Sequence, residues 1–154
     1  MSDYETTMEV KGLKALHEAL KGRLPTCRVG IIGKNNSRKD NTLTNSEVGA
    51  AHEYGTNKLP QRSFLRVPLA DHLTKEMENS NILTDEHLKK VIATKSIVPW
   101  IEDVGMIALK IVLEAFDTCG FGKWKPSEMR YKKIKQTLVE TTQLRDSISY
   151  VVKK

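Results

Sequence analysis

His52 and Glu53 are adjacent in a short apolar-periodic segment, the opening of the pattern in which two helical histidines hold zinc and the glutamate serves as base. That pattern needs its second histidine at position 56, where this chain has Thr56, so a zinc site fails on spacing. Gly30-Ile31-Ile32-Gly33-Lys34 follows a β-branched run, as a phosphate loop would. It has only two residues between its glycines, and Asn35 rather than Ser or Thr after the lysine, so it reads as a strand entering a loop. The four histidines, His17, His52, His72 and His87, are scattered, and no spacing pairs one with a Cys or Ser nucleophile. Cys27 and Cys119 form no C-x-x-C pair and read as two reduced thiols. Neither catalysis, nor a metal, nor a cofactor has support in these residues, and the expectation is a non-enzymatic protein.

The remaining chemistry is charge. Of 154 residues, 25 are Lys or Arg and 19 are Asp or Glu, a formal charge of +6. The balance is uneven: residues 76–119 carry −4 and residues 120–154 carry +6. Opposite patches of this kind attract within one subunit or between copies. The basic end places Lys123, Lys125, Arg130, Lys132, Lys133 and Lys135 around Trp124 and Tyr131. It could grip a phosphate backbone, but its aromatics are not spaced as a stacking platform, which favours a solvated or protein-facing surface with Trp124 anchored in the core. A nucleic-acid-binding module is therefore the alternative to a protein-binding role.

The elements that must carry these residues follow from periodicity. Val10, Leu13, Leu16, Leu20 and Leu24 fall at helical spacing and predict an amphipathic helix over 8–23, ended by Pro25. Residues 27–33 predict a strand with Val29 and Ile31 on one face, and residues 34–43, with Leu43 their only apolar side chain, predict a mobile surface loop. Thr44 and Glu47 form a capping box for a short helix that Gly55 ends. Residues 64–79 predict a third helix with Pro68 near its first turn, and Thr84 or Asp85 opens a fourth within a variable 76–96 insertion. Ile97, Ile101, Val104, Ala108, Ile111 and Ala115 share one face of the strongest helix, with Pro99 in its first turn and Gly120 to stop it. A basic helical or irregular stretch over 127–135 precedes a final strand over 147–152, with Ile148, Tyr150 and Val152 on one face. The sum is a single α+β domain over 1–154: a small, mostly antiparallel sheet packed against the long central helix and the N-terminal helix. The longest apolar stretch, 104–116, is short and broken by Lys110 and Glu114, which excludes a membrane span. The polar opening MSDYETTMEV has no secretory pattern, so folding in the cytoplasm is expected.

Two blocks resemble a known family. His52-Glu53-Tyr54-Gly55-Thr56 followed by Leu59-Pro60-Gln61-Arg62-Ser63-Phe64-Leu65-Arg66 is similar to the "HEFGT…iPaRpFLr" pattern of tailed-bacteriophage tail-completion and head-to-tail joining proteins. Trp124-Lys125-Pro126-Ser127, and then Leu138 to Ile148, resemble that family's "P-x-S … pLidTGqLr-SI" ending, and the order of the blocks agrees. Thr142 stands where the family has Gly, Ser63 where it has Pro, and Gln61 where it has a small residue. The resemblance implies a structural virion protein at the neck or tail end, made in the host cytoplasm. It further implies a homo-oligomeric ring, commonly hexameric, which would meet the connector or neck and the tail tube or tail terminator, with DNA only passing through. In that setting Gly55 ends a helix, Pro60 stiffens the next loop, Phe64 and Leu65 plug the core, and Arg62 and Arg66 stay available for carboxylates. The candidate protein interface is Arg62, Arg66, Lys123, Lys125, Arg130, Lys132 and Lys133.

Overall fold

The structure is a computed structural model of the whole chain, and its described residues are 11–18, 20–21, 24–38, 43–82, 84–125 and 142–153. A helical segment over 11–18 (α1) leads to a strand, Thr26–Ile31 (β1), and a 3-10 turn, Gly33–Asn36. Helices Asn45–Tyr54 (α2), Arg66–Asn79 (α3), Asp85–Thr94 (α4) and Val98–Asp117 (α5) follow. A single turn, Gln143–Asp146 (α6), and a strand, Ile148–Lys153 (β2), close the chain. The fold is α+β, as the sequence predicts.

The two strands pair antiparallel, with Val29 opposite Tyr150 and Ile31 opposite Ile148. Their alternation therefore puts Cys27, Val29 and Ile31 on the same face as Ile148, Tyr150 and Val152. That face packs on α5, and a glycine permits the close approach. A Cβ on Gly105 would lie 2.5 Å from the Tyr150 ring and 2.9 Å from Cys27 Sγ. Burial against the helix raises the Cys27 thiol's pKa.

Helix α5 is the spine. Ile111, Val112, Ala115 and Phe116 are buried, and the last three meet Phe64, Trp124, Leu144 and Ile148 in one core cluster. Pro99 sits in its first turn, where a missing amide costs nothing, and Gly120 (φ +67°) donates to the Ala115 carbonyl at 2.6 Å to end it. The capping box of α2 is fully formed. Glu47 N donates to Thr44 Oγ1 at 3.3 Å, and Thr44 N donates to Glu47 Oε2 at 2.7 Å. The Thr44 amide and the Thr44 hydroxyl, which donates to Glu47 Oε2 at 2.7 Å, hold the Glu47 carboxyl below its ordinary pKa.

One expectation changes. Leu13, Leu20 and Leu24 are exposed, so these members of the apolar stripe predicted for the first helix do not face the core, and Val10 lies outside the described residues. Leu16 and Leu20 instead line a cavity of about 330 Å³ with Leu88, Val91 and Trp100. The first part of the polar stretch after β1 has local structure: residues 33–36 form the 3-10 turn, Asn36 Oδ1 accepts from Ser46 N at 2.8 Å, and the buried Asn45 donates to Ser37 O at 3.3 Å. Asn36 thus satisfies one of the open amides at the start of α2. Residues 39–42, and the basic stretch predicted over 127–135, lie outside the described residues.

Candidate protein interface

Glu53 organises the first family-like block. It lies in the last turn of α2 with 5% of its surface exposed, and its carboxylate reaches across to the start of α3. Oε2 accepts from the Phe64 and Leu65 amides at 2.9 and 3.0 Å, and Oε1 accepts from the Arg66 amide at 3.0 Å and the Ser63 hydroxyl at 2.6 Å. Ser63 Oγ in turn accepts from Val67 N at 3.0 Å. The first amides of a helix have no partner within it, and here a buried anion from another helix supplies them. The His-Glu pair that resembles a zinc motif is in fact a helix cap.

The chain between Glu53 and Ser63 is a tight excursion. Gly55 has φ +75°, and a Cβ there would sit 3.0 Å from the Gln61 backbone nitrogen, so only glycine fits. Thr56 and Leu59 exchange both backbone hydrogen bonds, at 2.9 and 3.2 Å, which places Asn57 and Lys58 at the tip of a two-residue turn. Arg62 N then donates to His52 O at 2.7 Å and returns the chain to α2.

Arg62 is not available for a partner's carboxylates. It is 6% exposed, and its Nε and Nη2 both donate to the Lys125 carbonyl at 3.4 Å. Burial lowers its guanidinium pKa. Its role is to strap the second family-like block to the first. Trp124 makes the neighbouring tie, its Nε1 donating to Ser63 O at 3.1 Å while its ring meets Phe116 edge-on at 5.9 Å. A Cβ on Gly120 would lie 2.2 Å from Trp124 Nε1.

Arg66 is on the surface. Its side chain is 60% exposed, 3.9 Å from Glu53, and its guanidinium lies 5.7 Å from the ring centre of Tyr54, itself 69% exposed. Lys123 is exposed but bonded to Asp71 at 2.6 Å, a bond that holds the Asp71 carboxyl below its ordinary pKa. Lys125 is exposed. Arg130, Lys132 and Lys133 lie outside the described residues.

The end of the second block returns to the same core. Leu144 and Ile148 are buried, and Ser147 Oγ donates to Leu144 O at 2.6 Å. A Cβ on Gly49 would meet Ile31 at 2.9 Å, Phe64 at 3.4 Å and Leu144 at 3.5 Å, so both blocks and the sheet converge on this one position of α2. Thr142, where the related pattern has glycine, is left-handed at φ +54°. The backbone there has the conformation glycine favours, held by a β-branched residue.

One constellation is invisible in the spacing of the sequence alone. His87 Nε2 lies 3.2 Å from Asp103 Oδ2, and its Nδ1 lies 2.8 Å from Thr84 Oγ1. A ring proton donated from Nε2 to Asp103 leaves Nδ1 to accept from the threonine hydroxyl. Thr84 is the N-cap of α4 and His87 its third residue, so the same bonds fasten the start of α4 to α5. The T-x-x-H spacing was the available signal, but Asp103 joins it only through packing. Among the described residues no group of three His, Cys, Asp or Glu side chains could hold a metal ion, and no helix is long and apolar enough to cross a membrane. No family model matches the chain, and neither a curated protein nor a solved structure is significantly similar to it.

Proposed function

We propose that this chain is a non-enzymatic structural protein of a tailed-bacteriophage virion, completing the tail or joining it to the head, and that it works as a homo-oligomeric ring. One observation supports the reading above others. The described residues of the two blocks on which the family resemblance rests are tied together by the Arg62 bond to Lys125 O and the Trp124 bond to Ser63 O, and Glu53 braces the first block internally. Contact between the two blocks is what a shared family architecture would require.

The unit has the properties of a scaffold. Its polar groups are spent on helix capping and strapping, and it leaves Tyr54, Lys58 and Arg66 displayed on a fixed backbone. In this role the chain sits at the neck or tail end, against connector and tail proteins, after assembly in the host cytoplasm. Deleting its gene from the phage tests the proposal: filled heads and finished tails should accumulate unjoined and be rescued by the chain in trans. Normal infectious particles without it would refute the role. The nucleic-acid alternative predicts instead that the isolated chain binds duplex DNA tightly and that binding falls steeply between low and moderate salt.

A further inference from the structure

The turn around Lys58 and the outer side of α5 differ in charge, the first carrying exposed cations and the second exposed carboxylates. On the first surface, Tyr54 stands exposed beside the Arg66 guanidinium, and Lys58 tips the turn. The backbone beneath is fixed by the Thr56–Leu59 hydrogen bonds, by Gly55 against Gln61 and by the buried Glu53 cap. An exposed tyrosine and arginine on a rigid base have the composition of an interface hot spot, because little entropy is lost when they bind. Lys58 and Arg66 are its exposed cations, Arg66 sharing its charge with the buried Glu53 at 3.9 Å.

The second surface is a shallow groove of about 560 Å³ lined by Met106, Leu109, Leu113, Lys110, Glu114 and Asp117, in which Lys110 is paired with Glu76 at 3.5 Å. Met106 is 51% exposed. Helix α5 carries four carboxylates against one lysine. Asp117 already bonds Arg145 at 3.0 Å, whereas Glu102 and Glu114 are exposed and meet no cation among the described residues. The two surfaces share no residue. Two different patches that fit each other form a head-to-tail contact, the kind that closes a ring.

We propose that Tyr54, flanked by Lys58 and Arg66, seats in the Met106–Leu109–Leu113 groove of a second copy of this chain, with Lys58 facing Glu114. This rests on the ring reading and names the contact that closes it. Sedimentation equilibrium and native mass spectrometry on the purified full chain test it directly. Wild type self-associates, and rising salt weakens the assembly. Tyr54→Ala weakens it by about thirty-fold, as loss of a hot-spot residue does. Lys58→Glu and Glu114→Lys each weaken it when alone. Mixed together they associate again, since each junction then pairs either the two native charges or the two reversed ones.

All three positions are exposed, so circular dichroism should show each variant folded as wild type. A chain that stays monomeric to its solubility limit overturns the proposal. So does wild-type association by Tyr54→Ala, or failure of the mixed variants to reassociate. Self-association through this contact in a protein absent from purified virions would refute the phage reading and leave the contact standing, so the two failures are distinguishable.

Discussion

Replacing Glu53 by glutamine tests the buried cap that ties the start of α3 to α2. The substitution keeps the shape but exchanges one carboxylate oxygen for an amide donor. If that nitrogen takes the place of Oε2, it faces the Phe64 and Leu65 amides, which then lose their acceptor; in place of Oε1 it faces the Arg66 amide. Phe64 is 1% exposed, so water does not readily substitute. Each buried donor left unsatisfied costs about 1–3 kcal/mol, and the surviving bonds lose their charge assistance, for a total of about 3 kcal/mol. Against a total stability of about 5–15 kcal/mol this is a large fraction. With a urea slope of about 2 kcal/mol/M, the unfolding midpoint should fall by about 1.5 M. Arg66→Ala is the control, because an exposed ion pair at 3.9 Å contributes only about 0.5 kcal/mol. A Glu53→Gln midpoint within about 0.3 M of wild type, or an Arg66→Ala loss as large as that of Glu53→Gln, would refute the capping account.

Gly120→Ala should cost about 2 kcal/mol or more in thermal or urea unfolding, because its Cβ would fall on the Trp124 indole at a left-handed backbone position. Thr142→Gly should stabilise the protein by about 0.5–1 kcal/mol, the relief of a left-handed β-branched residue outweighing the extra freedom of glycine in the unfolded chain. Glu47 and Asp71 have folded pKa values below their ordinary ones, so their contribution is complete at neutral pH and is lost as pH falls through and below the usual carboxylate range. Melting curves from about pH 7 to about pH 3 should accordingly show a shallower acid loss for Glu47→Gln and Asp71→Asn than for wild type. Purified protein should hydrolyse short aryl esters no faster than Thr84→Val, since the Thr84–His87–Asp103 bonds serve to fasten α4; turnover that Thr84→Val abolishes would show otherwise.

Local rules made much of the fold readable. Thr44 and Glu47 are three apart and form the capping box their spacing implies, and Gly55 and Gly120 end helices where a left-handed residue is needed. The face shared by Ala108, Ile111 and Ala115 on α5 is buried, and the alternation in both strands matches their register. What the sequence hid depends on partners far along the chain. Arg62 has the chemistry of a surface residue, and a carbonyl 63 positions away helps to make its burial tolerable. Glu53 reads as half of a metal motif because its true ligands are backbone amides, which leave no trace in residue type. The leucines of α1 show the limit of periodicity: spacing reveals which side chains share a face and says nothing of what, if anything, covers it.

The proposed role, a ring-forming component of the neck or tail end, places this chain in the intact virion. Electron cryomicroscopy of intact particles, with the chain located by an inserted epitope and a bound antibody fragment, measures it most directly. The account predicts density for several copies arranged as a closed ring around the DNA channel where head meets tail, with the Lys58 turn of each copy against α5 of the next. Copies absent from purified particles, or present as isolated monomers elsewhere on the virion, would contradict it.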